Sequence, residues 1–179
     1  MKILALAASN SKASINKALI RYCAQQMHTL VPGAEVEVID INDFDAPIYS
    51  IDYEKEQGVP EPARALRAKF DGADGILISF AEHNGIYVAA WKSLFDWMTR
   101  LDGQIYDGKS LVLLATSPGG RGGAGVVAHA EMSVTHFGGK VLSTLAIAKF
   151  YDVFDLESGV VTDAGISEQL SEALAAFSG

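Results

Sequence analysis

The stretch that decides the fold is Ile3-Leu-Ala-Leu-Ala-Ala8, which runs directly into Ser9-Asn-Ser-Lys-Ala-Ser-Ile-Asn16. The first part carries no charge, and such a run predicts a strand buried on both faces, as in the middle of a parallel sheet. The second part is a polar loop that leads into an amphipathic helix. Free N–H groups and the positive end of a helix dipole favour an anion at such a place, commonly a phosphate. We therefore expect this loop to hold a phosphate group.

The composition is typical of a protein domain with a sizeable core. The chain has 179 residues, 49% hydrophobic and 20% charged, so we expect one domain over residues 1–179. The formal net charge of −8 disfavours nucleic acid and anionic membranes as partners, because both are negatively charged. Cys23 is the single cysteine and falls on the apolar face of the first predicted helix, so we interpret it as core. The sequence shows no signal peptide or bilayer-spanning run, and we expect a cytoplasmic protein.

Apolar runs alternate with helical patterns along the chain, which predicts an α/β fold built on a parallel sheet. The predicted strands cover residues 3–8, 36–40, 75–80, 110–116 and 140–148. The predicted helices lie at 15–30, 62–70, 88–98, after 123 and at 167–177, and residues 42–62 are expected to be irregular. Strict alternation of strands and helices favours a doubly wound sheet of strand order 2-1-3-4-5.

Three polar, glycine-bearing loops follow strands one, three and four, where a sheet of this order binds ligands. The first is the phosphate loop described above. In the second, Glu82-His-Asn-Gly85, Asn84 can hydrogen-bond along the edge of a planar ring and Gly85 allows close backbone approach. The third, Ser117-Pro-Gly-Gly-Arg-Gly-Gly123, is rich enough in glycine to present N–H groups to a flat or anionic ligand. Arg121 is a candidate contact for the phosphate of an incoming anionic substrate.

Each loop also has a purely structural interpretation. Ser14 could simply cap the first helix, and the other two loops could be exposed turns. The first loop is neither a Walker A loop nor a G-x-G-x-x-G dinucleotide motif, and no G-x-S-x-G nucleophile elbow is present. Strand one does not end in acidic residues, which argues against a phospho-accepting receiver domain, because such a domain needs an acidic cluster that binds Mg²⁺. His129 and His136 do not predict a metal site, and Trp91 and Trp97 are expected in the core or at a subunit interface.

At these loops the sequence resembles the NADPH-dependent FMN reductase family, which has a flavodoxin-like fold and includes quinone, chromate and azo-dye reductases. The family pattern G-S-x-R-x-x-S-x-N corresponds to Ala8-Ser-Asn-Ser-Lys-Ala-Ser-Ile-Asn16. The pattern P-E-Y-N, followed by L-K-N-x-x-D-W, corresponds to Ala81-Glu-His-Asn84 and Trp91-Lys-Ser-Leu-Phe-Asp-Trp97. The element S-x-G-G-x-x-G is Ser117-Pro-Gly-Gly-Arg-Gly-Gly123, and Phe154-Asp-Leu-Glu-Ser-Gly159 is similar to the family's closing segment.

The resemblance implies a flavodoxin-like three-layer sandwich that binds FMN and uses NADPH or NADH to reduce a small acceptor such as a quinone. It places the FMN phosphate in the first loop, on Ser9, Ser14 and Asn16, and the neighbouring loop residues are Ser11, Lys12 and Ile15. It places the flavin ring against the second loop, at Glu82, His83, Asn84 and Gly85. The other edge of the ring would lie near the third loop, at Ser117, Gly119 and Gly120. It assigns no catalytic side chain, because the flavin carries the chemistry. It further implies a homodimer or a dimer of dimers, with Trp97 and residues 42–62 as candidate subunit contacts.

Two other functions remain compatible with these loops. The first is a flavodoxin-type one-electron carrier, although the first loop has no threonine and the second offers only His83 and Tyr87 to flank a ring. The second is a degenerate family member without turnover, because Ser11 stands where the family has arginine and His83 where it has tyrosine. The acceptor and the preference between NADPH and NADH are left open.

Overall fold

Five parallel strands form the central sheet in the computed structural model, which describes residues 1–179. In chain order the strands are β1 (Lys2–Ala8), β2 (Glu35–Asp40), β3 (Gly75–Phe80), β4 (Glu82–His83), β5 (Ile86–Tyr87), β6 (Ser110–Thr116), β7 (Lys140–Ile147), β8 (Phe154–Asp155) and β9 (Val160–Val161). The sheet order is β2-β1-β3-β6-β7, and all four pairings are parallel. The predicted strand order 2-1-3-4-5 is confirmed. The pairs β4–β5 and β8–β9 are short antiparallel hairpins outside this sheet.

Seven α-helices accompany the strands, two more than the sequence pattern predicts. They are α1 (Ile15–Leu30), α2 (Ile51–Gln57), α3 (Glu61–Asp71), α4 (Ala89–Leu101), α5 (Ala124–His136), α6 (Phe150–Val153) and α7 (Ala164–Ala175), with 3₁₀ turns at Ile41–Asp43 and Ala176–Ser178. None of these helices combines the length and the apolar character that a membrane crossing requires.

The expectation that residues 42–62 are irregular is wrong for α2. Ser50 begins this helix, and its hydroxyl accepts hydrogen bonds from the N–H groups of Asp52 and Tyr53. No residue of α2 is buried, so the helix has no apolar face from which a periodic pattern could reveal it.

Side chains that alternate across the strands build a core on each face of the sheet. On β1, Leu4 and Leu6 belong to a cluster of 26 buried residues that α3, α4 and α5 cover. Ile3 and Ala5 belong to a cluster of 19 under α1 and α7. This arrangement confirms the predicted three-layer α/β sandwich. Cys23 lies in the second cluster as expected, and burial raises the pKa of its thiol to about 12.

Both tryptophans are fully buried in their own chain. The indole N–H of Trp97 donates to the carbonyl of Pro47 at 2.7 Å. The rings of Tyr49 and Tyr53 meet the Trp97 indole edge-on, at centroid distances of 4.9 and 5.7 Å. The expectation that Trp97 contacts another subunit is therefore wrong, because residues 47–53 cover it.

Candidate functional site

A cleft of about 230 Å³ lies at the carboxyl ends of β1, β3 and β6, at the switch point of the sheet. Its wall consists of Ser9, Ser11, Ala13, Ser14, Ile15, Asn16, Ala81, Glu82, His83, Thr116, Ser117, Pro118 and Tyr151. The cleft thus unites parts of all three predicted loops. The predicted site residues outside its wall are Lys12, Asn84, Gly85, Gly119 and Gly120, all of them exposed.

The β1–α1 loop presents a row of free backbone N–H groups. The five consecutive N–H groups from Lys12 to Asn16 have no hydrogen-bond acceptor in the chain. Ser14 is the N-cap residue of α1, as expected, but its hydroxyl makes no capping hydrogen bond. Unpaired N–H groups and a free hydroxyl at the start of a helix are the donors that bind phosphate. The loop therefore fits a phosphate group such as that of FMN.

Asn16 is buried and joins three elements. Its Oδ1 accepts from the Ser79 hydroxyl at 2.7 Å and from the Thr116 N–H at 3.1 Å. Its Nδ2 donates to the Thr116 carbonyl at 3.2 Å. Ser9, the other buried residue of the loop, accepts from the Ser11 N–H at 3.4 Å. Asn16 thus holds the start of α1 against the carboxyl ends of β3 and β6.

The loop after β3 is a hairpin rather than an open loop. Asn84 and Gly85 have φ values of 55° and 84°, and they occupy the two central positions between β4 and β5. Two positive φ values in a two-residue connection are typical of a type I′ turn, for which Asn-Gly is the preferred sequence. Asn84 lies at the exposed tip of this turn, and His83 is the member of the hairpin tip that lines the cleft.

Glu82 links the second loop to the third. Its Oε2 accepts from the N–H of Val126 in the first turn of α5 at 2.9 Å, and its Oε1 lies 3.7 Å from the Arg121 guanidinium. Helix α5 follows Gly123 and so has no side-chain cap of its own. A carboxylate stabilises a helix N-terminus through its free N–H groups and its dipole. Both oxygens of Glu82 therefore contact the protein, and the side chain is only 12% exposed.

The four glycines of the third loop fall into two classes. Gly122 and Gly123 are buried and have φ values of 61° and 86°. A Cβ at Gly122 would lie 2.5 Å from backbone atoms at the end of β7, so packing and backbone conformation explain these two. Gly119 and Gly120 are exposed, and their N–H groups and that of Arg121 have no acceptor in the chain. The prediction of N–H groups presented by glycines applies to this second pair.

The turn between β7 and α6 completes the site and was not predicted. The Lys149 N–H donates to the Gly119 carbonyl at 3.0 Å, and the Phe150 N–H donates to the Ser117 carbonyl at 3.1 Å. These bonds bring the exposed Tyr151 into the wall of the cleft. Tyr151 belongs to a four-residue helix far along the chain from the third loop, and no local sequence signal marks it.

An ion pair fixes the chain beside the first loop. The Lys17 ammonium is buried and lies 2.6 Å from an Asp40 carboxylate oxygen. Burial tends to raise the pKa of Asp40. The net effect is nevertheless a pKa below the usual value, because Asp40 accepts hydrogen bonds from Lys17 and the Asn42 N–H and lies near the charges of Lys17 and Arg21. Lys17 is thus engaged by Asp40, and Lys12 is the exposed cation of the loop.

Characterised proteins resemble this chain over almost its whole length. It is 27% identical over 180 residues to a quinone reductase of Escherichia coli, a match that covers 99% of this chain and 93% of the relative. It is 29% identical over 177 residues to an NADPH:quinone oxidoreductase of Arabidopsis thaliana, which covers 97% of this chain and 88% of the relative.

A solved structure agrees with this relationship. The flavoenzyme FerB, an NAD(P)H:(acceptor) oxidoreductase from Paracoccus denitrificans, superposes with a TM-score of 0.79 at 26% identity, over 99% of this chain and 94% of FerB. The sequence pattern of a whole family matches residues 1–152, which contain all three loops of the cleft. The chain belongs to the NADPH-dependent FMN reductase family.

Proposed function

We propose that this protein oxidises NAD(P)H and reduces a small quinone or similar acceptor, with FMN bound at the carboxyl ends of β1, β3 and β6. The observation that carries the proposal is the row of unpaired N–H groups from Lys12 to Asn16 beside the uncapped Ser14 hydroxyl. This donor set suits the terminal phosphate of FMN. The quinone reductases of Escherichia coli and Arabidopsis thaliana support a quinone as the acceptor.

The first loop would hold the cofactor phosphate through two kinds of donor. The N–H groups of residues 12–16 and the Ser14 and Ser11 hydroxyls donate hydrogen bonds, and Lys12 adds an exposed positive charge. Asn16 has one free Nδ2 hydrogen beyond its bonds to Ser79 and Thr116. We therefore assign Asn16 chiefly to holding the loop in shape.

The second and third loops would hold the flavin ring. His83 and Ser117 line the cleft, and Gly119 and Gly120 offer free N–H groups near its rim. Glu82 keeps these two loops together through its hydrogen bond from the Val126 N–H in the first turn of α5. Bound FMN supplies a ring that accepts hydride from reduced nicotinamide and passes it to the acceptor. No acid or base from the chain is required, so the protein's part is to bind and orient.

The proposal includes a cytoplasmic homodimer, or a dimer of dimers, without a nucleic-acid partner. Reduced nicotinamide as the reductant and a single free, buried cysteine favour the cytoplasm. The net charge of −8 disfavours nucleic acid. Exposed apolar side chains on residues 48–53 favour a contact with a second subunit.

The phosphate assignment is tested by Ser14→Ala. Because the Ser14 hydroxyl makes no bond within the chain, we expect the free energy of unfolding of the FMN-free protein to change by less than about 0.5 kcal/mol. We expect FMN affinity, measured by flavin fluorescence quenching, to fall by roughly tenfold, the effect of one charge-assisted hydrogen bond.

Ser50→Ala is the matched control, because the Ser50 hydroxyl does cap a helix and lies outside the cleft. It should destabilise the protein by about 1 kcal/mol and leave FMN affinity unchanged. Unchanged FMN affinity in Ser14→Ala would contradict the placement of the phosphate.

Turnover separates the proposed function from its alternatives. The FMN-loaded protein should oxidise NADPH steadily when a benzoquinone is present, with no other protein added. A one-electron carrier would need a separate reductase to become reduced, and a degenerate family member would show no turnover with either addition.

A further inference from the structure

We propose that Arg121 and Lys149 bind the 2′-phosphate of NADPH and so make the protein prefer NADPH to NADH. The inference rests on the proposed function, in which a reduced dinucleotide is the electron donor. It concerns the rim of the cleft formed by the third loop and the β7–α6 turn, whose backbones are hydrogen-bonded to each other.

Arg121 is available to an anion from solvent. Its side chain is 81% exposed, and its nearest carboxylate oxygen, from Glu82, is 3.7 Å away, which is beyond hydrogen-bonding distance. The other oxygen of Glu82 is already bound to the N–H of Val126. An exposed guanidinium that donates no hydrogen bond to its one carboxylate neighbour offers a planar fork of donors that suits a phosphate.

Lys149 occupies the adjoining turn in a conformation that lysine disfavours. Its φ is 51°, and the other non-glycine residues with positive φ are Asn84 and Asp107, types that tolerate this region through local hydrogen bonds. Lysine lacks that compensation, and backbone strain of this kind concentrates at functional sites. The Lys149 ammonium is exposed and forms no salt bridge in the chain.

The two cations lie on neighbouring segments that are hydrogen-bonded to each other. The Lys149 N–H donates to the carbonyl of Gly119, two residues before Arg121. The free N–H group of Arg121 lies in the third loop and can donate to a further phosphate oxygen. The FMN phosphate has its own donors in the first loop, and the flavin ring is assigned to Gly119 and Gly120, so the side chains of Arg121 and Lys149 remain for a second anion.

The positive charge at the rim indicates which of the two reductants it favours. NADPH and NADH differ only in the 2′-phosphate, and a protein of net charge −8 repels both dinucleotides. A local pair of cations offsets this repulsion most for the ligand with the additional phosphate. The rim should therefore discriminate between the two reductants.

The test compares Arg121→Met and Lys149→Gly in the FMN-loaded enzyme. We expect KM for NADPH to rise about tenfold in each variant, as for the loss of one charge-assisted contact, whereas KM for NADH and kcat for both reductants change less than about twofold. In a second readout, NADP⁺ should raise the Tm of the wild-type protein more than NAD⁺ does, and both variants should lose that difference.

Stability distinguishes this role from a structural one. Glycine relieves the left-handed conformation at position 149, so Lys149→Gly should raise Tm by about 2–4 °C while it weakens NADPH binding. Asp107→Gly is the matched control: it relieves the same conformation before β6, at the opposite end of the sheet, and should raise Tm without changing KM for NADPH.

An equal rise in KM for NADPH and NADH, or no rise in either variant, would overturn the proposal. Failure of the proposed function looks different, because the wild-type protein would then oxidise neither reductant when FMN and a quinone are present.

Discussion

Asn16 shows how one buried side chain sets the shape of the site. Three hydrogen bonds connect its side-chain amide with Ser79 and Thr116. The start of α1, the end of β3 and the end of β6 therefore meet at this one group. The N–H groups of residues 12–16 owe their position to this contact. A change at Asn16 should therefore affect both folding stability and cofactor binding.

Asn16→Ala leaves the Ser79 hydroxyl and both backbone polar groups of Thr116 without this partner in a buried place. Because each unsatisfied group costs about 1–3 kcal/mol, we expect the free energy of unfolding to fall by about 2–4 kcal/mol. Urea denaturation of the FMN-free protein measures this loss without a contribution from the ligand. The exposed Asn10→Ala should change stability by less than about 0.5 kcal/mol. A loss in Asn16→Ala as small as that in the control would show that its hydrogen bonds contribute no stability.

The family resemblance predicts that Asn16 is a site residue, but the sequence cannot assign its contacts. Its partners Ser79 and Thr116 lie 63 and 100 residues further along the chain, so only the folded sheet brings them together. The same holds for Glu82, whose partner Val126 is 44 residues away. A local pattern can show that a polar residue faces a ligand-binding edge, but long-range packing decides which of its atoms remain free.

Among the elements, those with an apolar signal are predicted well. The predicted strands agree with β1, β2, β3, β6 and β7 to within one residue at each end, because uncharged β-forming runs bounded by polar loops mark strands clearly. The helix α2 has no buried residue and so leaves no such signal. The β4–β5 hairpin turns at the pair Asn84-Gly85. Asn-Gly is a strong hairpin signal, but the prediction for this segment is only a ligand-binding loop.

The third loop allows a comparison between two glycines of one turn. At Gly122, a Cβ would lie 2.5 Å from backbone atoms, and φ is 61°, so Gly122→Ala should destabilise the protein by about 3 kcal/mol or more. At Gly120 nothing lies within 4 Å of an added Cβ, and Gly120→Ala should change stability by less than about 0.5 kcal/mol. Thermal unfolding of the two FMN-free variants measures the difference. Equal stability in both would show that the turn can rearrange around a side chain at 122.

At the scale of the whole molecule, the chain holds apolar side chains outward on the segment that packs against α4. Ile48 and Ile51 are 82% and 54% exposed. Their backbone is fixed to α4, because the Pro47 carbonyl accepts bonds from Ser93 and Trp97, and the Tyr49 N–H donates to Ser93. Apolar side chains held rigidly in water are typical of a surface that a partner covers. This surface favours residues 48–53 as part of the proposed subunit contact.

The proposed dimer is tested by Ile48→Glu and Ile51→Glu. A charge at a covered apolar contact costs a few kcal/mol in association, so we expect each change to raise the dimer dissociation constant by roughly a hundredfold. Sedimentation equilibrium over a range of protein concentrations measures this constant. Leu156→Glu is the matched control, because Leu156 is similarly exposed but lies in the turn between β8 and β9. A monomeric wild-type protein would contradict the dimer, whereas an equal effect of all three changes would move the contact away from residues 48–53.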